Sequence, residues 1–210
     1  MRENAVKFSH LLKFRRNRYI SIVCGLILVV GLLLPQELII PVKGAAPRDW
    51  NPNSWWYEPW GESGVHKGID IFAPKKTPVL APISGVVIYR GEMRLGGNVL
   101  FILGPKWRVH FFGHLNKSKV GFGQFVTRGQ EIGEVGDSGN AKGKAPHLHY
   151  QISTCLPYPW RLDSTTQGWK KMYILNPNDY LSNPGVSNAS EPRTRNRAIV
   201  SLSYNNTEIK

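Results

Sequence analysis

The hydrophobic residues of this 210-residue chain follow two different patterns. Near the N-terminus, residues 20–34 form an uncharged apolar run of fifteen residues. A run of this length resembles a signal-peptide core and falls short of the ~20 residues that span a bilayer comfortably. After Pro35-Gln36-Glu37, a second apolar stretch covers residues 38–42. We therefore interpret residues 19–42 as a membrane-targeting segment, either a signal anchor or a cleaved signal peptide.

The remaining hydrophobic pattern predicts β-structure. Short runs rich in Val, Ile, Phe and Tyr are separated by clusters of Gly, Pro, Asn and Asp, and helical periodicity is never sustained. The runs predict strands at residues 79–81, 85–89, 98–103, 109–112, 125–127, 131–135 and 148–153. Many short strands with turn residues between them predict a mainly β fold, arranged as a sandwich or a stack of sheets.

Composition divides the chain into five segments. They are a basic leader (1–18), the targeting segment (19–42), a Trp-rich lead-in (43–63), a folded domain (64–184) and a tail rich in Asn, Ser, Thr and Arg (185–210). We expect the chemistry to reside in the folded domain, because the lead-in is broken by Pro52 and Pro59 and the tail resembles a loosely ordered terminus.

The formal net charge is +13, and the leader alone carries six basic residues against one acidic residue. Positive charges before an apolar segment stay in the cytoplasm, so residue 47 onward is expected outside it. We expect an N-terminal anchor; the imperfect small-residue site Gly44-Ala45-Ala46 keeps cleaved secretion as the alternative. The sequence carries no RNA- or DNA-binding motif, so we expect no nucleic-acid partner.

Two cysteines exclude a disulfide-stapled scaffold and a Cys₄ zinc site. Cys24 lies within the apolar run, which leaves Cys155 without a partner for an internal disulfide. We expect Cys155 to behave as a small buried hydrophobic residue.

Five of the six histidines lie between residues 66 and 149, inside the predicted β domain. In a strand, His147 and His149 point to the same face, and Leu148 points to the opposite, buried face. An HxH pair of this kind can place both imidazoles on one metal, or one on the metal and the other on a proton.

His66 and Asp70 form an HxxxD pair in a segment whose glycines and proline argue against a helix. In a fully extended strand the two residues would be ~13 Å apart, so the chain must bend, and Gly68 permits that. Together with one histidine of the HxH pair they provide three protein ligands, which suits a catalytic zinc. The other histidine of the pair and His114 are then candidates for proton transfer, since the sequence has no HExxH glutamate.

Two further groups have open interpretations. His110 precedes His114 by four residues on a predicted strand, so it could share that face but lie ~13 Å away, and we interpret it as a structural or rim residue. Trp55, Trp56 and Trp60 form either part of the core or a sugar-stacking rim ahead of His66.

Residues 64–151 resemble the M23 family of zinc metallopeptidases, the lysostaphin and LytM-type cell-wall endopeptidases. The stretches that carry this resemblance, in the family's order and spacing, are GVHKGIDIFAPKKTPVLAPISGVV, GGNVLFIL, FFGHLN, VTRGQEIGEVGDSGN and PHLHYQI, followed by NPNDYL at 176–181. Two positions depart from the family pattern: Gly113 stands where Ala is frequent, and Gln151 where an acidic residue often follows the HxH pair.

The resemblance implies antiparallel β-sheets of the duplicated hybrid motif type, with a substrate groove over one sheet. It implies one Zn²⁺ per chain, with His66, Asp70 and His149 as ligands and His114 and His147 as catalytic histidines. The implied substrates are the peptide stems or cross-bridges of peptidoglycan, and the implied location is the bacterial cell envelope, with the domain outside the inner membrane.

Two other functions remain as alternatives at this point. A degenerate domain of this type could bind peptidoglycan or activate another hydrolase without catalysis, although all five site positions are kept. A biotinyl- or lipoyl-like carrier domain would explain the hairpin-like stretches around residues 81–92 and 126–136. Such a carrier needs a modifiable Lys in a tight turn, which residues 91–124 do not offer, and it has no use for HxxxD or HxH.

Overall fold

The computed structural model of the protein describes residues 2–182. A continuous helix, α1, covers Arg2–Leu33. Its part Arg16–Leu33 is long and apolar enough to cross a membrane, and its side chains are largely exposed. The predicted tail at 185–210 lies outside the described residues.

Ten strands and one short helix follow. They are β1 (Ile69–Phe72), β2 (Pro78–Leu80), β3 (Gly85–Met93), β4 (Gly97–Gly104), β5 (Arg108–Leu115), β6 (Lys117–Ser118), β7 (Phe125–Val126), β8 (Glu131–Glu134), β9 (His147–Thr154), β10 (Ile174–Leu175) and α2 (Asn178–Leu181). Single 3₁₀ turns lie at Pro47–Asp49, Pro52–Ser54, Gly61–Ser63, Pro105–Trp107, Gly139–Ala141, Pro159–Arg161 and Gly168–Met172. All seven predicted strands are present, whereas β1, β6 and β10 were not predicted. β6 and β10 have only two residues each, which is too few to show an alternating pattern.

The strands form two antiparallel sheets. The larger sheet has the order β1-β9-β5-β4-β3-β7, with β10 also paired to β9, and the smaller has the order β2-β8-β6. Side chains from both sheets pack into one core, for example Val79 and Ile132 from the smaller sheet with Leu100 and Phe112 from the larger. The prediction of a mainly β fold of antiparallel sheets is confirmed.

Residues 38–42 belong to this core. Leu38, Ile40 and Val42 are almost fully buried, and Val42 pairs with Val79 beside β2. The backbone of the segment is also paired: the carbonyl of Pro41 accepts from the N–H of Leu80 at 2.8 Å. Its apolar composition also fits the targeting segment, because hydrophobicity alone does not distinguish a lipid environment from a protein core.

The prediction for Cys155 is wrong, because its side chain is exposed. Cys155 follows the last residue of β9, where the chain leaves the sheet, and its N–H donates to the carbonyl of Trp107 at 2.9 Å. This backbone hydrogen bond holds the residue in place without a contact from its side chain, and the side chain points outward.

Candidate metal centre

An open groove of about 1010 Å³ lies over the face of the larger sheet that points away from the core. Its walls come from the 59–67 segment, from the β3–β4 hairpin and from residues 140–147. The five histidine and aspartate residues that the sequence singled out as a site all line this groove: His66, Asp70, His114, His147 and His149.

The pairing of β1 with β9 brings Asp70 and the HxH pair together. Asp70 lies opposite His149 in the antiparallel register, and Phe72 lies opposite His147. Both histidines face the groove, while Leu148 between them is fully buried in the core. The predicted shared face of the HxH pair is confirmed.

The chain bends at Gly68, between His66 and β1, as predicted. A Cβ at Gly68 would lie 2.4 Å from the carbonyl oxygen of Tyr150 and 2.9 Å from Nε2 of His149. The bend therefore requires glycine, because the His149 ring and the β9 backbone occupy the volume that a side chain would take.

Three donor atoms converge at this point. Nε2 of His66 lies 3.1 Å from Oδ1 of Asp70 and 3.1 Å from Nδ1 of His149, and Nδ1 of His149 lies 2.8 Å from Oδ1 of Asp70. Ligand atoms of a tetrahedral zinc with bonds of 2.0–2.1 Å are roughly 3.3–3.4 Å apart. The trio therefore matches three corners of a zinc site to within roughly 0.6 Å.

The hydrogen bonding around His66 explains why this cluster favours a cation. Nδ1 of His66 is 2.9 Å from the carbonyl oxygen of Ser54, to which it donates its proton. Nε2 of the neutral ring therefore presents a lone pair to Asp70 Oδ1, which also presents lone pairs. Two acceptors at 3.1 Å repel each other unless a proton or a metal ion lies between them.

The charges of the trio are those of a metal site. Burial on its own would raise the pKa of Asp70, but the adjacent imidazoles, His149 first and His66 second, hold that pKa well below its usual range. Burial lowers the pKa of His149, although the Asp70 carboxylate partly opposes this. An ionised carboxylate beside a neutral imidazole is the protonation state that binds a metal ion.

His114 and His147 stand beside the trio with their rings 4.9 Å apart. Each ring donates Nδ1–H to a backbone carbonyl: His114 to Ser138 at 2.9 Å and His147 to Ala145 at 2.8 Å. These bonds fix the orientation of both rings and direct Nε2 of each ring away from the backbone, so that Nε2 is the nitrogen available to exchange a proton. Burial, aided by the neighbouring His149 and His147, lowers the pKa of His114 to about 4.

A bulge in β5 decides where His114 points. The register between β4 and β5 shifts between Asn98 and Leu100, and His114 has a φ of 60° in the left-handed region. Regular alternation from Phe112, which faces the core, would turn His114 inward as well. The bulge turns it outward instead, toward the groove.

His110 consequently does not share a face with His114, as the strand spacing had allowed, and of its two predicted roles the structural one is confirmed. His110 is fully buried on the core side of β5. The side-chain oxygen of Gln36 accepts a hydrogen bond from Arg108, and its amide nitrogen donates one to Nε2 of His110 at 3.0 Å. Because Nε2 of His110 is an acceptor, its Nδ1 carries the proton and donates to the hydroxyl of Tyr150 at 2.6 Å. Burial first, and the nearby Arg108 charge second, lower the pKa of His110 to about 3. His110 is a structural residue.

Aromatic side chains surround the trio, and only some of them were foreseen. Trp60 stacks on the ring of His66 at 4.1 Å and lines the groove, whereas Trp56 is buried with Val65. A row of rings, Tyr89, Phe101 and Phe111, crosses three strands of the larger sheet at centroid distances of 5.1 Å. The alternation of side chains along β4 and β5 could have placed Phe101 and Phe111 on one face of each strand. It could not have shown that they are neighbours, because that depends on the pairing register of the two strands.

Gly113 lies directly opposite His149 in the sheet. A Cβ there would lie 3.0 Å from the Phe111 ring and 3.5 Å from Cβ of His149, so alanine would need only a small movement of that ring. Gln151, the second departure from the family pattern, lines the groove two residues beyond His149.

Comparisons with known proteins match this region of the chain. Residues 64–158 match the family described as Peptidase family M23. The chain is 40% identical over 111 residues to the L-Ala--D-Glu endopeptidase of Bacillus subtilis (strain 168), which is 49% of this chain and 34% of that protein. It is 35% identical over 92 residues to the peptidoglycan DD-endopeptidase ShyC of Vibrio cholerae, which is 44% of this chain and 21% of that protein.

The chain thus spans about a third or less of the length of these curated relatives. Among solved structures, the antimicrobial peptidase lysostaphin from Staphylococcus simulans is similar with a TM-score of 0.56 and 24% identity. That similarity covers 77% of this chain and 61% of lysostaphin, and it concerns the fold.

Proposed function

Since residues 64–158 of this chain are a domain of peptidase family M23, we propose that the protein is a zinc-dependent endopeptidase that hydrolyses peptide cross-links of bacterial peptidoglycan. The observation that carries the proposal is the arrangement of five groups in one groove. Three of them form the donor trio, and the two others are histidines beside it whose Nδ1–H groups are bonded to backbone carbonyls. Of the two named relatives, one is an L-Ala--D-Glu endopeptidase and the other a peptidoglycan DD-endopeptidase.

His66, Asp70 and His149 would hold the zinc ion, through Nε2, Oδ1 and Nδ1 respectively. When bound there, zinc supplies a Lewis acid that polarises the scissile carbonyl and acidifies water. The carbonyl of Ser54 has a supporting role, because it orients His66 and fixes its tautomer. Stacking of Trp60 on the same ring restricts its rotation further.

His114 and His147 would move the protons. A neutral imidazole with a free Nε2 can accept a proton from the attacking water, and its lowered pKa keeps His114 neutral at pH 7. The imidazolium that forms can then donate this proton to the leaving amine or stabilise the tetrahedral oxyanion. Because both rings are tied through Nδ1, neither needs to reorient during the exchange.

We also propose that α1 is an uncleaved anchor in the inner membrane, with the domain on the outer side. The basic residues of the leader favour a cytoplasmic N-terminus. Cleavage at Gly44-Ala45-Ala46 would sever Leu38, Ile40 and Val42 from the core that they help to fill. Removal of several buried aliphatic side chains costs about 2–5 kcal/mol for each, which a domain of this size does not tolerate.

The test is incubation of the full chain, purified in detergent with zinc, with isolated peptidoglycan, followed by mass spectrometry of the released fragments. Hydrolysis of a peptide bond with new amino and carboxyl ends supports the proposal, and the fragment masses identify the bond. His147→Ala is the matched control, because it removes a proton carrier and leaves the donor trio in place. Peptidoglycan binding without fragment release, by protein that contains zinc, would instead support the non-catalytic alternative.

A further inference from the structure

The C-terminal part of helix α1 contacts the folded domain at the Pro105–Trp107 turn between β4 and β5. The indole N–H of Trp107 donates to the carbonyl oxygen of Leu28 at 2.9 Å. The ring also fills a notch at Gly31, where an added Cβ would lie 2.5 Å from it. The Pro105–Trp107 segment therefore packs against the last two helical turns of α1.

The height of this contact along the helix matches a membrane interface. The helix ends at Leu33, which is five residues after Leu28 and two residues after Gly31. At a rise of 1.5 Å per residue, the Trp107 ring lies roughly 3–8 Å from that end along the helix axis. Tryptophan is enriched at this depth, where its apolar ring and its N–H meet the boundary between acyl chains and headgroups. Lys106, next in the turn, can extend its amine to lipid phosphates.

The connection between helix and domain is short and is held in place. Four residues, 34–37, separate the end of α1 from the first core residue, Leu38. Within it, Gln36 is bonded to Arg108 and His110, and Glu37 is bonded to Arg128 at 3.2 Å through both its carbonyl and its carboxylate. A connection with these contacts gives the domain little freedom to move away from the helix end.

The same end of the larger sheet exposes an apolar row beside the turn. Phe125, Val86, Leu103 and Val109 are consecutive cross-strand neighbours on β7, β3, β4 and β5. Phe125 is 61% exposed and Val86 is 39% exposed, although both are large apolar side chains. Leu103 precedes the Pro105–Trp107 turn by two residues and Val109 follows it by two, so the row continues the surface that contacts the helix.

We propose that this end of the domain, the turn Pro105–Trp107 and the apolar row, rests on the outer surface of the phospholipid bilayer that α1 crosses. The inference rests on the anchor in the proposed function and adds a docking surface to it. Gly113, opposite His149, is four residues from Val109 on β5, or roughly 13 Å along the strand. The metal centre would accordingly work on peptidoglycan that lies directly against the membrane.

The experiment uses the full chain in vesicles of phosphatidylcholine and phosphatidylglycerol, with Cys24→Ser and Cys155→Ser as background. A nitroxide label is attached at Phe125→Cys, and the matched control carries it at Lys142→Cys, an exposed position in the loop beside the metal centre. Power-saturation EPR compares collisions with oxygen, which concentrates in lipid, and with a water-soluble nickel chelate. We expect the label at 125 to be oxygen-accessible and nickel-protected, and the label at 142 to show the reverse.

Equal nickel accessibility at both positions, in protein that floats with the vesicles, would overturn the docking surface while leaving the anchor intact. Failure to float would overturn the anchor and the docking surface together. Trp107→Ala provides a second check, since loss of the ring should raise nickel collisions at position 125 without releasing the protein from the vesicles. Hydrolysis of peptidoglycan by the same samples reports separately on the proposed enzymatic function.

Discussion

Acidification from pH 8 to pH 5 should destabilise the fold through His110, which is buried on the core side of the larger sheet and does not line the groove. In the folded protein the pKa of His110 is lowered to about 3, because burial opposes its charge and Arg108 lies nearby. Protonation would also place a second N–H against the amide N–H of Gln36, which already donates to that ring. In the unfolded chain the same histidine titrates near ~6.5.

The size of the effect follows from this difference. A group whose pKa is lowered on folding contributes stability above its unfolded pKa, and this is lost as the pH falls toward the folded pKa. At pH 5 the unfolded chain has bound nearly a full proton at this residue, whereas the folded protein has bound almost none. The loss between pH 8 and pH 5 is then about 2 kcal/mol, set chiefly by the unfolded pKa.

The assay is urea unfolding of the full chain in detergent micelles with a metal chelator, followed by tryptophan fluorescence at both pH values. His110→Phe is the matched variant, because it cannot titrate at this position. It should be less stable than wild type at pH 8, since Gln36 and the Tyr150 hydroxyl each lose a partner at about 1–3 kcal/mol. The difference between the two proteins should shrink by about 2 kcal/mol at pH 5, and parallel stability curves would refute the reasoning.

Four further outcomes concern the metal centre. Asp70→Ala should lose most bound zinc by atomic absorption while its circular dichroism stays native, because the carboxylate is the anionic member of the trio; full zinc content would contradict that assignment. His147→Ala should keep zinc and lose turnover, whereas His149→Ala should lose both, and equal zinc loss would indicate that the two residues share the metal. His114→Ala should lower turnover on peptidoglycan by about 10²-fold or more with zinc intact, and near-wild-type hydrolysis would make it a structural residue. Gly68→Ala should weaken zinc binding, because its Cβ would lie 2.9 Å from the His149 ring; unchanged affinity in a zinc titration would show that the bend tolerates a side chain.

Several features of this protein follow from local sequence patterns. Seven of the strands were predictable from short apolar runs between turn residues, and the shared face of His147 and His149 follows from the two-residue period of a strand. The bend before Asp70 was predictable because an extended segment would keep His66 too far away. Each of these inferences uses residues only a few positions apart, over which backbone geometry is nearly independent of the rest of the fold.

Other features depended on partners that are distant in sequence. Leu38, Ile40 and Val42 are as apolar as the helix before them, and only their contacts with the core distinguish them from a membrane segment. The bulge that turns His114 outward depends on the register between β4 and β5, which nothing within β5 specifies. Whether His110 shares a face with His114 depends on the same register.

The sequence by itself determined which residue types are available for a metal centre and the short spacings between them. Only the tertiary structure decided that Nε2 of His66, Oδ1 of Asp70 and Nδ1 of His149 meet within 3.1 Å, because His149 comes from a strand 79 residues beyond Asp70. That approach is produced by the pairing of β1 with β9 and by the absence of a side chain at Gly68. Cross-strand pairing is a choice among many possible registers, and it is settled by how the whole core packs rather than by any local pattern.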